Sequence, residues 1–402
     1  MALVMIPEQL ASPLPIPEHR LAEIDHFGPI SLVIIQATSF CNLDCDYCYL
    51  PDRQSKKNLS LDLIEPIFTQ LFTSRFLGEE FTICWHAGEP LAVPIEFYDA
   101  ALSKINLLDQ KLNKQRYLVR QSIQTNGTLI NPAWCDLFKK YQVNVGISLD
   151  GPAFIHDAHR KTRTGIGTHA SVMRGIEHLR NHDLDFNIIA VITQESLDYP
   201  DEIFNFFMEN GIIDVGFNIE ELEGVNRSSS LQNPDAERRF RAFIQRFWQL
   251  AAEAQGVFRL REFERICSLI YAGDRIPRSG LSSPFAIINI DYQGNFSTFD
   301  PELLAVKVEP YGNFILGNIL EDSFESVCHT EKFWEIYQDI EAGVRLCQQK
   351  CQYYGVCGGG SASNKYWEHG SFRVAETMAC RFYEQMVTDV VLAGLESSLG
   401  LH

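Results

Sequence analysis

Residues 31–48 read SLVIIQATSFCNLDCDYC. The β-branched apolar run Ser31–Gln36 has the composition of a strand buried on both faces, and a cysteine-rich loop follows it. Cys41, Cys45 and Cys48 are spaced C-x3-C-x2-C. Three thiolates on one short loop can hold three corners of a [4Fe–4S] cube, which leaves the fourth iron free to bind something else. A structural zinc or an electron-transfer cluster normally closes with four ligands. Three ligands and an open corner point to chemistry at this loop.

Downstream of the loop the pattern alternates. A helical stretch over Ser60–Ser74 has Ser60 placed as its N-cap. Strand Phe81–Trp85, helix Ile95–Leu108, strand Ser122–Thr125, helix Pro132–Lys140 and strand Val143–Leu149 follow. Helix His169–Asn181, strand Asp185–Thr193, helix Pro200–Asn210 and strand Val215–Ile219 continue the alternation. Repeated βα units imply parallel strands with helices outside. The fold class is therefore α/β, a partial (β/α)6 TIM-like barrel rather than an eight-fold one. Residues 1–29 read as an N-terminal extension and 30–225 as the barrel. Residues 226–280 read as a polar linker (Asn226–Asp235) with bridging helices. Residues 281–402 form a Cys- and Gly-rich C-terminal domain, with a hairpin at Tyr292–Asn295 and a closing helix over 375–396.

The 402 residues are 46% apolar, ample for a large core. A net charge of −18 repels phosphate backbones and argues against a nucleic-acid partner. No apolar run approaches the roughly 20 residues of a spanning helix, and no basic segment precedes an apolar stretch at the N-terminus. A cytoplasmic protein without a membrane partner is expected. The basic run His159-Arg160-Lys161-Thr162-Arg163 reads as a solvated loop or as a site for a carboxylate or phosphate. Of 11 cysteines, seven fall in two groups, 41/45/48 and 347/351/357/380. Such grouping points to metal binding rather than disulfides. Cys84, Cys135, Cys267 and Cys328 read as ordinary thiols.

In parallel βα folds, chemistry gathers at the carboxyl ends of the strands. Cys41–Cys48 follows the first strand, and His86-Ala87-Gly88-Glu89-Pro90 follows the second. Gln124-Thr125-Asn126-Gly127 and Ser148-Leu149-Asp150-Gly151-Pro152 follow the third and fourth. Each alone is ordinary turn composition; four on successive strand ends form a pattern. With Tyr47 before the last cysteine, the chain resembles the radical S-adenosylmethionine (SAM) enzymes. The resemblance implies SAM chelating the open iron, one-electron cleavage to a 5′-deoxyadenosyl radical, and hydrogen abstraction from a substrate. It also implies SAM contacts. Ala87, Gly88 and Glu89 resemble the Gly-Gly-Glu-Pro turn near the methionine amino group, with Ala87 a departure from its first glycine. Asn126, beside Gln124, resembles the ribose-contacting position, and Ser148 with Arg160 the pair that binds the SAM carboxylate. Asp150 is a further contact or only a turn cap. His156 and His159 have zinc-like spacing without a third ligand and read as loop residues.

Cys347, Cys351, Cys357 and Cys380 supply four thiolates, which a structural zinc would also satisfy. The region resembles the SPASM domain, where these positions match the second auxiliary [4Fe–4S] cluster. Its first auxiliary cluster would need cysteines where Phe299 and Ser361 stand, so one auxiliary cluster is expected. Residues 217–226, 294–304 and 357–365 resemble maturases that build three-residue cyclophanes on ribosomal precursor peptides of the glycine-rich repeat type. The resemblance implies a peptide substrate, an external one-electron reductant, and a carbon–carbon bond from an aromatic ring to a β-carbon two residues later. Glu220, Glu221 and Glu223 are the base candidates, with plain surface solvation as the alternative for at least two of them. Thioether synthases and formylglycine-generating sulfatase maturases share the scaffold and form the rival reading. A non-catalytic iron–sulfur or zinc protein is the remaining one.

Overall fold

The computed structural model describes residues 18–304, 306–309 and 311–400. The N-terminal extension is seen only from helix α1 (Glu18–Ile24) onward; residues 1–17 lie outside the described ones. The SLVIIQ run forms β1 (Ile30–Ile35), where Val33 and Ile35 are fully buried. Then follow α2 (Ile64–Thr73), β2 (Leu77–Trp85), α3 (Ile95–Leu112), β3 (Leu118–Thr125), α4 (Pro132–Tyr141) and β4 (Val143–Ser148). After them come α5 (Ala153–His159), α6 (His169–Asn181), β5 (Phe186–Ile192), α7 (Pro200–Glu209) and β6 (Asp214–Ile219). Each of these strands pairs in parallel with the one before it.

Local signals account for most boundaries. Ser60 accepts from Asp62 N and starts a 3₁₀ turn that leads into α2. Asn131 accepts from Ala133 N and Trp134 N, and Pro132 fills the first position of α4. Helix α5 is the one barrel element the pattern did not anticipate. It is seven residues long and begins behind Pro152 with no side-chain cap, so His156 and His159 lie on a helix, not in a loop.

The sheet continues past both ends of the six-strand set. After α8 (Ala236–Glu253), the short β7 (Arg259–Leu260) pairs with β6 and leads into α9 (Arg261–Ala272). Strand β8 (Ile287–Ile290) then joins the opposite edge, parallel to β1, with Ile34 beside Asn289 and Ile35 beside Ile290. Its residues are all buried, as expected of a parallel strand covered on both faces. Strand β9 (Asn295–Thr298) returns antiparallel through Gly294, whose φ of +82° needs no Cβ. Strands β10 (Lys307–Val308) and β11 (Gly312–Asn313) pair with each other, and β12 (Gly317–Asn318) adds to β9.

Helices complete the chain: α10 (Phe324–Val327), α11 (Glu331–Lys350), α12 (Tyr354–Cys357), α13 (Ala362–His369), α14 (Met378–Cys380) and α15 (Val387–Ser398). A π-helical turn over Arg381–Met386 joins the last two. Phe27 packs against Phe285, Phe333, Trp334 and Tyr337, so the N-terminal segment is held on α11. Among the described residues no helix is long and apolar enough to cross a membrane.

Because β8 lies inside the barrel sheet, Ile288→Ala removes a fully buried side chain from the shared core. The cost is expected to be about 2–5 kcal/mol. Calorimetry should show one lowered transition for the whole chain; a separate early transition beside an unchanged one would contradict this packing.

Candidate functional site

The loop carrying Cys41, Cys45 and Cys48 has little regular pairing of its own, and other segments satisfy its backbone. Cys41 O accepts from Arg163 Nε (3.1 Å) and Nη2 (2.8 Å). Phe40 O accepts from Glu89 N at 2.7 Å, Tyr49 O from Val225 N at 3.0 Å, and Lys161 O from Asp44 N at 2.8 Å. Gly88 (φ +72°) and Gly224 (φ +56°) allow these approaches. A Cβ on Gly88 would meet the carbonyl oxygens of Thr38 and Phe40, and one on Gly224 would meet Tyr49 O. Ala87 (φ +67°) holds the left-handed conformation that the glycine it replaces would take freely, at a cost of roughly 1–2 kcal/mol.

The basic run is consumed by this bracing. His159 Nδ1 pairs with Asp46 at 3.0 Å, and Arg163 holds Cys41. Buried Arg160 grips buried Asp150 through Nε (2.9 Å) and Nη2 (3.0 Å). Asp150 also accepts from Tyr47 Oη (2.5 Å) and Val191 N (2.9 Å), so it joins the cysteine loop to β4 and β5 rather than capping a turn. Burial alone would raise the Asp150 carboxyl; the Arg160 guanidinium outweighs it and holds it below its ordinary range. Two of the three Arg160 nitrogens are thus engaged before any ligand arrives.

The remaining strand-end residues converge on the same mouth. Buried Glu89 accepts from Thr125 Oγ1 (2.6 Å), Leu91 N (2.9 Å) and Asn126 N (2.8 Å), locking the end of β2 to that of β3. Asn126 Nδ2 donates to Asn42 (2.8 Å) and approaches Cys41 Sγ at 3.8 Å. Gln124 Nε2 donates to Ser148 Oγ at 3.2 Å. On the β1–β8 side a cavity of about 200 Å³ opens, with Ile34, Gln36, Ser39, Tyr49, Ala87 and Asn289 in its wall. Ser39 Oγ and Asn289 Oδ1 are buried there without a hydrogen-bond partner among the described residues. The same is true of His86 Nδ1, in a ring that burial drives down to about 4 and so keeps neutral.

These residues fit the group the motif implies. Burial pushes the Cys41 thiol up to about 12 and Cys45 up to about 11, so their thiolates need a cationic partner such as iron. Leu43 N already donates to Cys41 Sγ at 3.4 Å.

Cys347, Cys351, Cys357 and Cys380 line one cavity of about 240 Å³. Thr377 N donates to Cys380 Sγ at 3.3 Å, and Lys365 Nζ to Cys347 Sγ at 3.3 Å. Among the described residues no three Cys, His, Asp or Glu side chains form a single-ion site; the thiols stand around the wall of the cavity instead. Cys328 lies apart, buried in the core with its thiol raised to about 12.

Glu221 and Glu223 share that cavity, together with Asp300 and Glu302, which the sequence reading did not single out. Glu220 does not: its carboxylate holds Ser230 N at 2.8 Å and Ser230 Oγ in the linker. Glu223 is buried and accepts from Asn364 Nδ2 (2.9 Å) and Ser363 Oγ. Asp300 accepts from Ser363 N (2.6 Å) and Ser361 Oγ (3.1 Å) at the N-terminus of α13. Burial, then the nearby Glu302, raises Glu221 to about 8; burial raises Glu302 to about 7. Solvation on the surface, the bland alternative for the acids after β6, therefore does not describe Glu221 or Glu223.

A model of the radical SAM superfamily matches residues 35–207. Those residues form a radical SAM domain. An uncharacterized protein of Synechocystis is 58% identical over 95% of this chain and 96% of its own length. A cysteine-type anaerobic sulfatase-maturating enzyme of Clostridium perfringens is 26% identical over 83% of this chain and 88% of its own. The serine-type enzyme of Bacteroides thetaiotaomicron is 33% identical, but the match spans under half of either chain. Native anSMEcpe with bound AdoMet and Cp18Cys peptide superposes with a TM-score of 0.73 at 22% identity, over 93% of this chain and all of that one. Streptococcus suis SuiB bound to precursor peptide SuiA gives 0.61 at 14%, over 90% and 79%. This radical SAM enzyme therefore shares the partial-barrel fold of both.

Two outcomes are expected here. Alanine at Cys41, Cys45 or Cys48 should abolish SAM cleavage, measured as 5′-deoxyadenosine release; cleavage surviving any one of them would remove that cysteine from the site. Folding keeps Glu221 and Glu302 protonated where the unfolded chain ionises them, so the unfolded state binds fewer protons between pH 4.5 and about 8. Apoprotein stability should fall as pH rises through that window. The Glu221→Gln/Glu302→Gln variant should flatten the fall in thermal melts, and an unchanged slope would contradict the assignment.

Proposed function

We propose that this enzyme is a peptide maturase that crosslinks a ribosomally made precursor, joining an aromatic ring to the β-carbon two residues later. The observation that carries the reading is the state of the two positions where double-cluster SPASM proteins hold thiols. Phe299 is buried at φ +75° with its ring stacked on Phe333. Ser361 caps α13 and bonds Asp300. Neither position is free to ligate, which supports one auxiliary cluster and the cyclophane-type resemblance.

Cys41, Cys45 and Cys48 would hold the catalytic cluster, which with SAM supplies one-electron cleavage and removal of a substrate hydrogen atom. Gly88, Glu89, Asn126 and Ser148 would receive SAM beside it, and Arg160 would do so with the nitrogen Asp150 leaves free. The mouth cavity, with Ser39, Asn289 and Asp291 among its lining residues, would take the part of the peptide that carries the reacting residue. Forming the crosslink removes two hydrogens, one as the abstracted atom and one as an electron and a proton. Glu221 would be the proton acceptor: burial leaves only a minor fraction of it ionised at neutral pH, but makes that fraction strongly basic. Cys347, Cys351, Cys357 and Cys380 would hold the electron-accepting cluster in the separate cavity that Glu221 also lines.

A second reading, oxidation of a seryl or cysteinyl residue to formylglycine, is favoured by the match to the Clostridium perfringens maturase. Product analysis on short aromatic-containing peptides separates the two. The crosslink predicts a loss of two hydrogens, no reaction with hydroxylamine, unchanged thiol alkylation, and missing backbone fragments between the joined residues. A hydroxylamine-reactive product, or one that has lost sulfur, would establish formylglycine formation instead.

A further inference from the structure

We infer that Lys365 is a redox-positioning residue that makes the C-terminal cysteine site an electron acceptor. The inference rests on the proposed auxiliary cluster. Lys365 lies on α13 and is 4% exposed. A buried ammonium must find a polar partner. Four acids, Glu221, Glu223, Asp300 and Glu302, line the same cavity. Among the described residues Lys365 makes a salt bridge with none of them. Its ammonium turns instead to Cys347 Sγ at 3.3 Å.

Among the residues lining that cavity, Lys365 is the one Lys or Arg. Glu384 is there as well, but Arg265 pairs with it at 2.6 Å from outside the lining. The wall thus carries one cation, and that cation sits on a ligand sulfur. Reduction adds a negative charge to a group already held by four thiolates. Hydrogen bonds to the sulfurs and nearby positive charge favour the reduced form, so they raise the potential. Without Lys365 no positive charge on the cavity wall would offset the added electron.

A redox titration followed by electron paramagnetic resonance tests this. The background is the full chain carrying Cys41→Ala, Cys45→Ala and Cys48→Ala, reconstituted anaerobically so that the signal comes from the C-terminal site alone. K365M should shift the midpoint potential to more negative values with the iron content unchanged, and K365R should titrate with the parent. A K365M potential equal to the parent's overturns the inference, as does an equal shift in K365R. Should K365M fail to retain iron, K365Q in the same titration is read by the same criteria. Loss of iron in all three variants makes Lys365 a structural residue and also overturns it. A parent that binds no iron at all refutes the auxiliary cluster itself, a different result.

Discussion

Three thiols must be held rigidly on a segment with almost no secondary structure of its own, and the rest of the active end is built around that constraint. A loop cannot satisfy its own carbonyls as a helix or ladder does. Here the β2 turn donates to Phe40 O, the loop after β6 to Tyr49 O, and Arg163 to Cys41 O. Strands β1 to β6 deliver these partners together because they run parallel and their carboxyl ends point one way. Gly88 and Gly224 are required because the backbones meet too closely for a Cβ.

The same loop links the two cysteine groups. Tyr49 directly follows Cys48, lines the mouth cavity, and is clasped by the turn that carries Glu223. Burial raises its hydroxyl, with Glu302, Cys48 and Glu223 adding to the effect. The acids between the two groups are therefore shielded from water, and their raised basicity follows from that shielding more than from any one partner. In a chain of net charge −18, cations are spent where they fix geometry: Arg160 on Asp150, Arg163 on Cys41, Lys365 on Cys347.

Most of the barrel was legible because helical and strand periodicities are local signals. Helix α6 forms over the range the pattern indicated, and the hairpin at Gly294 forms where the turn residues lie. What was not legible is non-local. No periodicity says that Ile287–Ile290 returns beside β1. Arg160 suits any carboxylate, and only the fold shows that Asp150 occupies its fork. Asp300 and Glu302 flank a proline in an apolar stretch, and their approach to Glu221 and Glu223 depends on how the C-terminal region closes on β6. Helix α5 was missed for a local reason: seven residues without a cap carry too little signal.

The central claim is one open catalytic cluster and one closed auxiliary cluster. The most direct measurement is an iron and sulfide count after anaerobic reconstitution, wild type beside the variant with Cys41, Cys45 and Cys48 all changed to alanine. The account predicts about eight irons in wild type and about four in the variant. About twelve irons in wild type, or about four with zinc in the C-terminal site, would contradict it.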